Sequence, residues 1–280
     1  MVKTNALMEK VLFPRTFINK NKLYNELTGK TILITGASSG IGEQLVYYLG
    51  DINCHLILVA RRKDKLLDIR NIIKAAEVSI FAADLRDEYD RNEFLVFINK
   101  LDHIDYFVNN AGISIKRSIY DSLDRFHDFK RSMAINYFAP VEILLSIIPL
   151  LEKNKGQIIN VSTINTLLIP FPNFSAYQAS KQALDTWFQS VSPELNVKGI
   201  FTTSIYLPLV RTPMIEPTTG YQRMPAMSSE HVAIIISKSM YTKRTRFKPW
   251  WIIGGQVASL LFRGLWGKIG KSFMKKRGSR

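Results

Sequence analysis

Residues 31–42 read Thr31-Ile32-Leu33-Ile34-Thr35-Gly36-Ala37-Ser38-Ser39-Gly40-Ile41-Gly42, and a helical pattern follows. Five residues suited to a buried strand lead straight into a loop with three glycines. Dinucleotide phosphates need close backbone approach, free amide N–H groups and the positive end of a helix dipole. Gly36, Gly40 and Gly42 supply the tight turn, the close approach and the helix-to-strand packing, with Ser38, Ser39 and Ile41 between them. A Gly/Ser turn can also join a strand to a helix without binding anything. Its place after the first strand, together with the motifs below, favours a phosphate loop.

Outward from this loop, apolar runs bounded by turn residues alternate with helical patterns. The runs predict strands at Thr31–Thr35, His55–Ala60, Val78–Ala82, Ile104–Val108, Gln157–Val161 and Ile200–Leu207. Long helical patterns cover Asp124–Leu151 and Ala176–Leu195. Such alternation predicts an α/β fold, a Rossmann-like doubly wound parallel sheet with helices on both faces. With 280 residues the chain can bury one large core. No internal repeat or low-complexity linker divides it. The expected organisation is an N-terminal arm over residues 1–28, a single domain over 29–250 and a basic amphipathic tail over 251–280.

The second strand ends at Ala60, where an enzyme using NAD would carry an acid for the ribose hydroxyls. This sequence has Ala60-Arg61-Arg62 instead. Two guanidiniums and no carboxylate suit a 2′-phosphate, so NADP(H) is the expected cofactor. The same two arginines could also simply open a solvated helix.

Composition narrows the rest. The formal net charge is +15, but it is unevenly placed. Residues 231–280 hold 12 of the 38 basic residues and no acid, leaving 26 basic against 23 acidic residues in the body. A nucleic-acid partner would need that charge spread over a docking face, so none is expected. One cysteine, Cys54, excludes an intrachain disulfide and reads as a buried thiol. The four histidines show no metal-ligand spacing, so no metal is expected. The longest apolar run near the N-terminus, Val11-Leu12-Phe13, is too short for a signal-peptide core. A cytoplasmic location follows as the expectation.

Of eleven tyrosines only Tyr177 has a lysine four residues later, Lys181. This spacing puts both on one helix face. An ammonium beside a phenol favours phenolate, the tuning that a general acid/base requires. A packed tyrosine beside a surface lysine would show the same spacing, so the pair alone decides little.

With the surrounding motifs the sequence resembles the short-chain dehydrogenase/reductase family over roughly residues 28–250. The marks, in order, are the glycine motif at 35–42, Asp84-Leu85 after strand three and Asn109-Asn110-Ala111-Gly112 after strand four. Asn136, Ser162-Thr163, Tyr177/Lys181 and Leu207-Pro208-Leu209-Val210-Arg211-Thr212 complete the set. The resemblance implies that Tyr177 protonates a carbonyl oxygen and that Lys181 holds the nicotinamide ribose. It implies that Asn136 anchors a water relaying protons to Lys181, that Asp84 with Leu85 meets the adenine, and that Asn110, Ala111 and Gly112 line the cofactor. The turn from Pro208 through Val210 to Thr212 would cover the nicotinamide. A dimer or tetramer is the family habit. Two positions depart from the pattern. Thr163 stands where the family places a serine, keeping the hydroxyl but adding a methyl group, and the usual Pro-Gly after strand six reads Leu207-Pro208.

A finer resemblance is to bacterial fatty acyl-CoA reductases of the short-chain dehydrogenase type. It rests on Asp124-Arg125-Phe126-His127-Asp128-Phe129, on Gly156–Ser162 and on Pro208–Thr218. It implies an NADPH-dependent reductase of a lipophilic carbonyl or fatty acyl thioester. Met214, Ile215, Tyr221, Met224 and Met227 would cover the substrate, or else are plain core. The alternatives are an oxidoreductase of a small or steroid-like ketone and a catalytically impaired NADP-binding regulator.

Past Pro249 the composition turns to Trp, Gly, Leu and Lys. At 100° per residue Leu261, Phe262, Leu265, Trp266, Ile269 and Phe273 share one face, with Arg263, Lys268, Lys271 and Lys275 opposite or at its edge. That pattern predicts a helix lying on an anionic membrane surface. Trp250, Trp251 and Trp266 would sit at headgroup depth, and Lys275-Lys276-Arg277 would add attraction. Two alternatives stay open: a last sheet strand over residues 246–253, or a tail covering a partner subunit.

Overall fold

The structure, a computed structural model, describes residues 6–216, 220–268 and 270–271. Two short helices, α1 (Ala6–Leu12) and α2 (Lys20–Leu27), precede β1 (Thr31–Thr35). There follow α3 (Gly40–Leu49), β2 (His55–Ala60), α4 (Lys63–Ile72), β3 (Glu77–Ala82), α5 (Glu88–Ile98) and β4 (Tyr106–Asn109). After a long loop come α6 (Phe126–Met133), a π-helical segment (Ala134–Phe138), α7 (Ala139–Lys153), β5 (Gln157–Thr163), α8 (Ser175–Val197) and β6 (Phe201–Leu207). The chain continues through β7 (Val210–Arg211), β8 (Met227–Ser228), α9 (Ser229–Thr242), β9 (Arg246–Phe247) and α10 (Ile252–Leu261).

Seven strands form one sheet in the order β3-β2-β1-β4-β5-β6-β9, and every pairing in it is parallel. The strand order reverses direction between β1 and β4, so a crevice opens beyond their carboxyl ends. Strand alternation divides the core between the two faces. Ile32 and Ile34 pack with Leu45, Val46 and Ile236 on one face, while Leu33 packs with Phe107, Ile143 and Phe188 on the other.

The expected helix at 124–151 is one continuous run interrupted by the π segment. Pro140 explains the interruption: it has no N–H to give to the Asn136 carbonyl four residues earlier. This run is long and apolar enough to cross a membrane by composition, yet half of its most apolar window is buried inside the protein. It is a core helix.

The chain ends pack differently from their outline in the sequence. Leu23 and Leu27 of α2 enter the main core, and Glu26 bonds both Tyr106 and Lys243, so α2 belongs to the body. The strand considered at 246–253 is only the two-residue β9, with Pro249 beyond it. The tail helix α10 stops at Leu261, and a 3-10 turn at Arg263–Leu265 follows, so the continuous face from Leu261 onward is broken near Gly264. Trp266 turns back to meet Phe171 edge-on with ring centroids 6.4 Å apart, and is packed on the body. Ile269, Phe273, Lys275, Lys276 and Arg277 lie outside the described residues.

Candidate active site

A cavity of about 690 Å³ lies along the carboxyl ends of the central strands. The phosphate loop forms its floor. Gly36 and Gly40 have φ of +69° and +58°, a region that side chains avoid. A Cβ on Gly42 would stand 2.3 Å from the Gly36 carbonyl oxygen, and one on Gly40 would stand 3.0 Å from the Thr212 methyl group. The loop therefore fits only glycine at these points. Ser39 at the N-cap of α3 makes no side-chain cap bond, which leaves the first amides of the helix open to an anion.

The Asn110 side chain fastens the loop from behind. Its Nδ2 donates to the carbonyls of Thr35 and Gly36 at 3.0 and 3.3 Å. In return the Thr35 hydroxyl accepts the amides of Asn110 and Ala111, both at 3.1 Å. Asn110 thus shapes the cradle as well as lining it.

Three guanidiniums stand at the far end of the loop. Arg62 donates from Nη2 to the Ser38 carbonyl at 2.9 Å and to its hydroxyl at 3.3 Å. Arg61 lies 4.0 Å from Asp84 and is largely exposed. Arg86 grips the same carboxylate through Nε and Nη2, and this pairing holds Asp84 below the usual carboxylate range despite its partial burial. Asp84, expected to meet adenine, is here a brace between two arginines. Arg86 was not anticipated; its signal was its place two residues beyond Asp84.

At the other end β5 brings Thr163 to the cavity beside Tyr177, with its hydroxyl accepting the Asn165 amide at 3.3 Å. The neighbouring Ser162 also borders the cavity, and its buried hydroxyl has no hydrogen-bond partner among the described residues. Lys181, one helical turn beyond Tyr177, donates to the Val161 carbonyl at 3.2 Å. Burial lowers its pKa to about 8, opposed only in part by Asp185. The lysine was expected to pull the Tyr177 phenol down. In the structure burial pushes that phenol up, with the nearby Thr163 hydroxyl working against it. A phenol raised in this way stays protonated at neutral pH, as a proton donor must.

Asn136 sits behind the cavity in the π segment. Its Oδ1 accepts the Ile113 amide at 3.0 Å, while Nδ2 donates to the Ile113 carbonyl and to the Ser180 hydroxyl at 3.0 and 2.9 Å. Pro140 and Ser180, which set this geometry, were legible only as spacing and were missed. A Cβ on Gly112 would meet Asn136 Oδ1 at 2.8 Å and Lys181 Nζ at 3.5 Å. The two polar side chains therefore converge beneath that glycine.

The cavity brings together nearly every residue singled out in the sequence. Gly36, Ser38, Ser39, Gly40, Ile41, Arg61, Arg62, Asp84, Leu85, Asn110, Ala111, Gly112, Thr163, Tyr177, Lys181, Pro208, Val210 and Thr212 all line it. Gly42 and Asn136 support it from outside. Met214, Ile215, Tyr221 and Met224 close one side, but Met227 is a core residue packed under α9. Phe171, Pro172 and Phe174 add an apolar wall that sequence reading missed, because loop residues carry no periodicity.

The model of the short chain dehydrogenase family matches residues 30–222. The chain belongs to the short-chain dehydrogenase/reductase family. Its members are oxidoreductases, and this one is similar to curated relatives of that type. It is 43% identical to a fatty acyl-CoA reductase of Acinetobacter baylyi over 212 residues, covering 74% of this chain and 72% of the relative. It is 37% identical to a Mycobacterium tuberculosis fatty acyl-CoA reductase over 251 residues, covering 88% of this chain and 85% of the relative. Among solved structures, a short-chain dehydrogenase from Sphingobium yanoikuyae in complex with NADPH superposes with a TM-score of 0.72. That match is at 21% identity and covers 85% of this short-chain dehydrogenase/reductase and 95% of the other.

Proposed function

We propose that this enzyme uses NADPH to reduce the carbonyl of a long-chain fatty acyl thioester, releasing the aldehyde. The observation that carries the reading is the meeting of Thr163, Tyr177 and Lys181 in a cavity with an apolar wall. The two relatives named as fatty acyl-CoA reductases favour the thioester over a ketone.

The glycine cradle and the open amides of α3 fit a dinucleotide diphosphate. Arg61, Arg62 and Arg86 fit a 2′-phosphate beside it. When bound, NADPH supplies the hydride. The rest of the chemistry belongs to side chains. Thr163 and Tyr177 hold the substrate oxygen by their hydroxyls, and Tyr177 gives its proton as negative charge develops there. Lys181 binds the ribose hydroxyls and stabilises the phenolate left behind. Asn136, held by Ser180 and Ile113, orders the route by which Lys181 is reprotonated. Collapse of the hemithioacetal then releases its hydroxyl proton to solvent as the aldehyde forms and expels the thiolate of coenzyme A, which takes up a proton in turn.

The apolar wall suits an acyl chain. Phe171 and Pro172 stand on one side, with Met214, Ile215 and Met224 on the other, and thioethers adapt to a flexible ligand. A peripheral site on an anionic bilayer would supply such a substrate. Ile253, Val257, Leu260 and Leu261 of α10 are exposed, as are Leu7, Met8 and Val11 of α1. The Trp250 indole donates to the Val11 carbonyl at 3.2 Å and joins the two ends into one apolar surface. A ten-residue α10 is too short to span a bilayer, so the surface would lie on it.

The test is NADPH consumption across a series of acyl-CoAs, long-chain aldehydes and ketosteroids. Rates that rise with acyl length, with aldehyde as product, support the proposal. Turnover of the steroids alone would replace it with a ketone reductase.

A further inference from the structure

Tyr177, Lys181, Asp185 and Gln189 succeed one another at four-residue spacing on α8 and form one polar ridge. The first two face the cavity. Asp185 runs into the interior and Gln189 comes out at the surface, and no step of the reaction uses either. Asp185 is 1% exposed. A carboxylate in such a place is costly unless something holds it, and its surroundings only half satisfy it. Gln189 Nε2 donates to Oδ2 at 2.7 Å, and the Tyr206 phenol from β6 lies against the carboxylate, while Oδ1 has no hydrogen-bond partner. Arg246 of β9 donates to Gln189 at 3.3 Å, and its charge also acts on the Asp185 carboxylate.

Lys181 is placed in the complementary way. Its ammonium is buried and donates to a neutral carbonyl, Val161. The groups around it are Tyr177 on its own helix, Thr163 and the Val161 carbonyl on β5, and Asn136 from the π segment, none of them an anion at neutral pH. The acid that acts on it is Asp185, one turn along α8. Burial alone would drive the ammonium toward the neutral amine.

We propose that Asp185 is a positioning residue for catalysis, whose buried carboxylate supplies the counter-charge that keeps the Lys181 ammonium protonated beneath the cofactor ribose. The inference rests on Lys181 having the role given above. Burial raises the Asp185 carboxyl above its ordinary range, while the Tyr206 phenol, the Gln189 amide and the charges of Arg246 and Lys181 favour its ionised form. The Oδ1 that lacks a hydrogen bond leaves negative charge unquenched on the side chain next along from Lys181. Position 185 thus tunes the site from behind without touching substrate or cofactor.

The experiment is an NMR titration of the full-length enzyme carrying ¹³C-labelled lysine, with Lys181→Met assigning the resonance. Asp185→Asn keeps the shape of the side chain and removes its charge. In that variant the Lys181 midpoint should fall by about one pH unit or more, a tenfold change in the protonated fraction above the midpoint. Turnover should fall most at alkaline pH and least near pH 6. Asp185→Glu should recover part of both. Tyr206→Phe, which leaves the carboxylate in place with one donor fewer, should move the midpoint in the same direction by less. This variant decides the matter if Asp185→Asn does not fold. A Lys181 midpoint unchanged in the folded variants, with activity lowered equally at every pH, would make Asp185 a structural residue and overturn the proposal. If Lys181→Met were itself fully active, the role given to Lys181 would fail instead, whatever the titration showed.

Discussion

Thr163 and Tyr177 come from β5 and from the first turn of α8, and both line one cavity. The Thr163 hydroxyl is near enough to the Tyr177 phenol to favour its ionised form against burial. Threonine at position 163 keeps the hydroxyl that serine supplies in most of the family, and it caps the 3-10 turn at Ile164–Leu167 by accepting the Asn165 amide. Thr163→Ser should retain turnover within about threefold. Thr163→Ala and Tyr177→Phe should each lower kcat by about 10²–10⁴ while NADPH still binds, the usual scale for loss of a proton donor or its partner. Steady-state kinetics with cofactor binding measured separately would check this. Full activity in Tyr177→Phe would place the acid elsewhere.

Cofactor choice should follow the guanidiniums. Arg62→Ala removes both a phosphate ligand and the bonds to Ser38, so it should weaken NADPH binding more than Arg61→Ala does. The double variant should bind NADPH about 10–100-fold less tightly, from charge-assisted bonds of about 1.5–3 kcal/mol, and leave NADH little changed. Fluorescence titration of both cofactors is the measurement. Equal affinity of the wild type for NADPH and NADH would remove the role given to these residues.

Gly42→Ala tests the cradle. The new methyl carbon would stand 2.3 Å from a backbone carbonyl, and the Asn110 amide nitrogen is 2.8 Å away. Neither can yield cheaply. We expect a loss of about 1–3 kcal/mol in stability, as for other overpacked sites, together with loss of NADPH binding. Gly254→Ala, in open space on α10, should leave both unchanged. Thermal unfolding with and without NADPH separates the two variants.

The pH dependence has a definite sign. Lys181 in the free enzyme titrates at about 8, below its ordinary 10.5. Turnover per unit KM should therefore be level below that point and fall as pH rises through it, since the ammonium is the working form. Between about 8 and 10.5 the unfolded chain binds the proton that the folded chain has lost, so the contribution of this group to stability rises with pH over the same window. Activity and that contribution should move in opposite directions. Comparing wild type with Lys181→Met in rate and unfolding measurements would show it; rates that rise between pH 8 and 10 would contradict it.

Much of this was legible in the sequence because the relevant features repeat or are sterically demanding. The strand at Thr31–Thr35 and the three glycines are local, and they located both the sheet and the phosphate site. Thr163 was harder, since only the alternation of β5 distinguishes it from Ser162. Features made by distant pairs were not legible. Ser180 orients Asn136 across two elements, Arg86 competes with Arg61 for Asp84, and Phe171 meets Trp266 across 95 positions of chain. The tail shows the opposite failing. Its helical periodicity continued past Leu261, where α10 ends and a 3-10 turn over Arg263–Leu265 takes over.

Binding to a bilayer should depend on both chain ends. A chain ending at Trp251 should lose most of its flotation with anionic liposomes at low salt, and Leu7→Asp with Val11→Asp in the full-length chain should weaken it as well. If the full-length protein stays with the soluble fraction, the exposed faces of α1 and α10 cover another protein surface instead.

Hydride transfer to an acyl thioester with Tyr177 as acid is followed by isotope labelling. The enzyme is given NADPH carrying deuterium at the transferable position of the nicotinamide, with hexadecanoyl-CoA, and the products are read by mass spectrometry. The products should be hexadecanal bearing one deuterium at its carbonyl carbon and free coenzyme A in equal amount, with almost no product from Tyr177→Phe with its cofactor bound. Deuterium appearing in a steroid or other ketone while the acyl-CoA is recovered unchanged would contradict it.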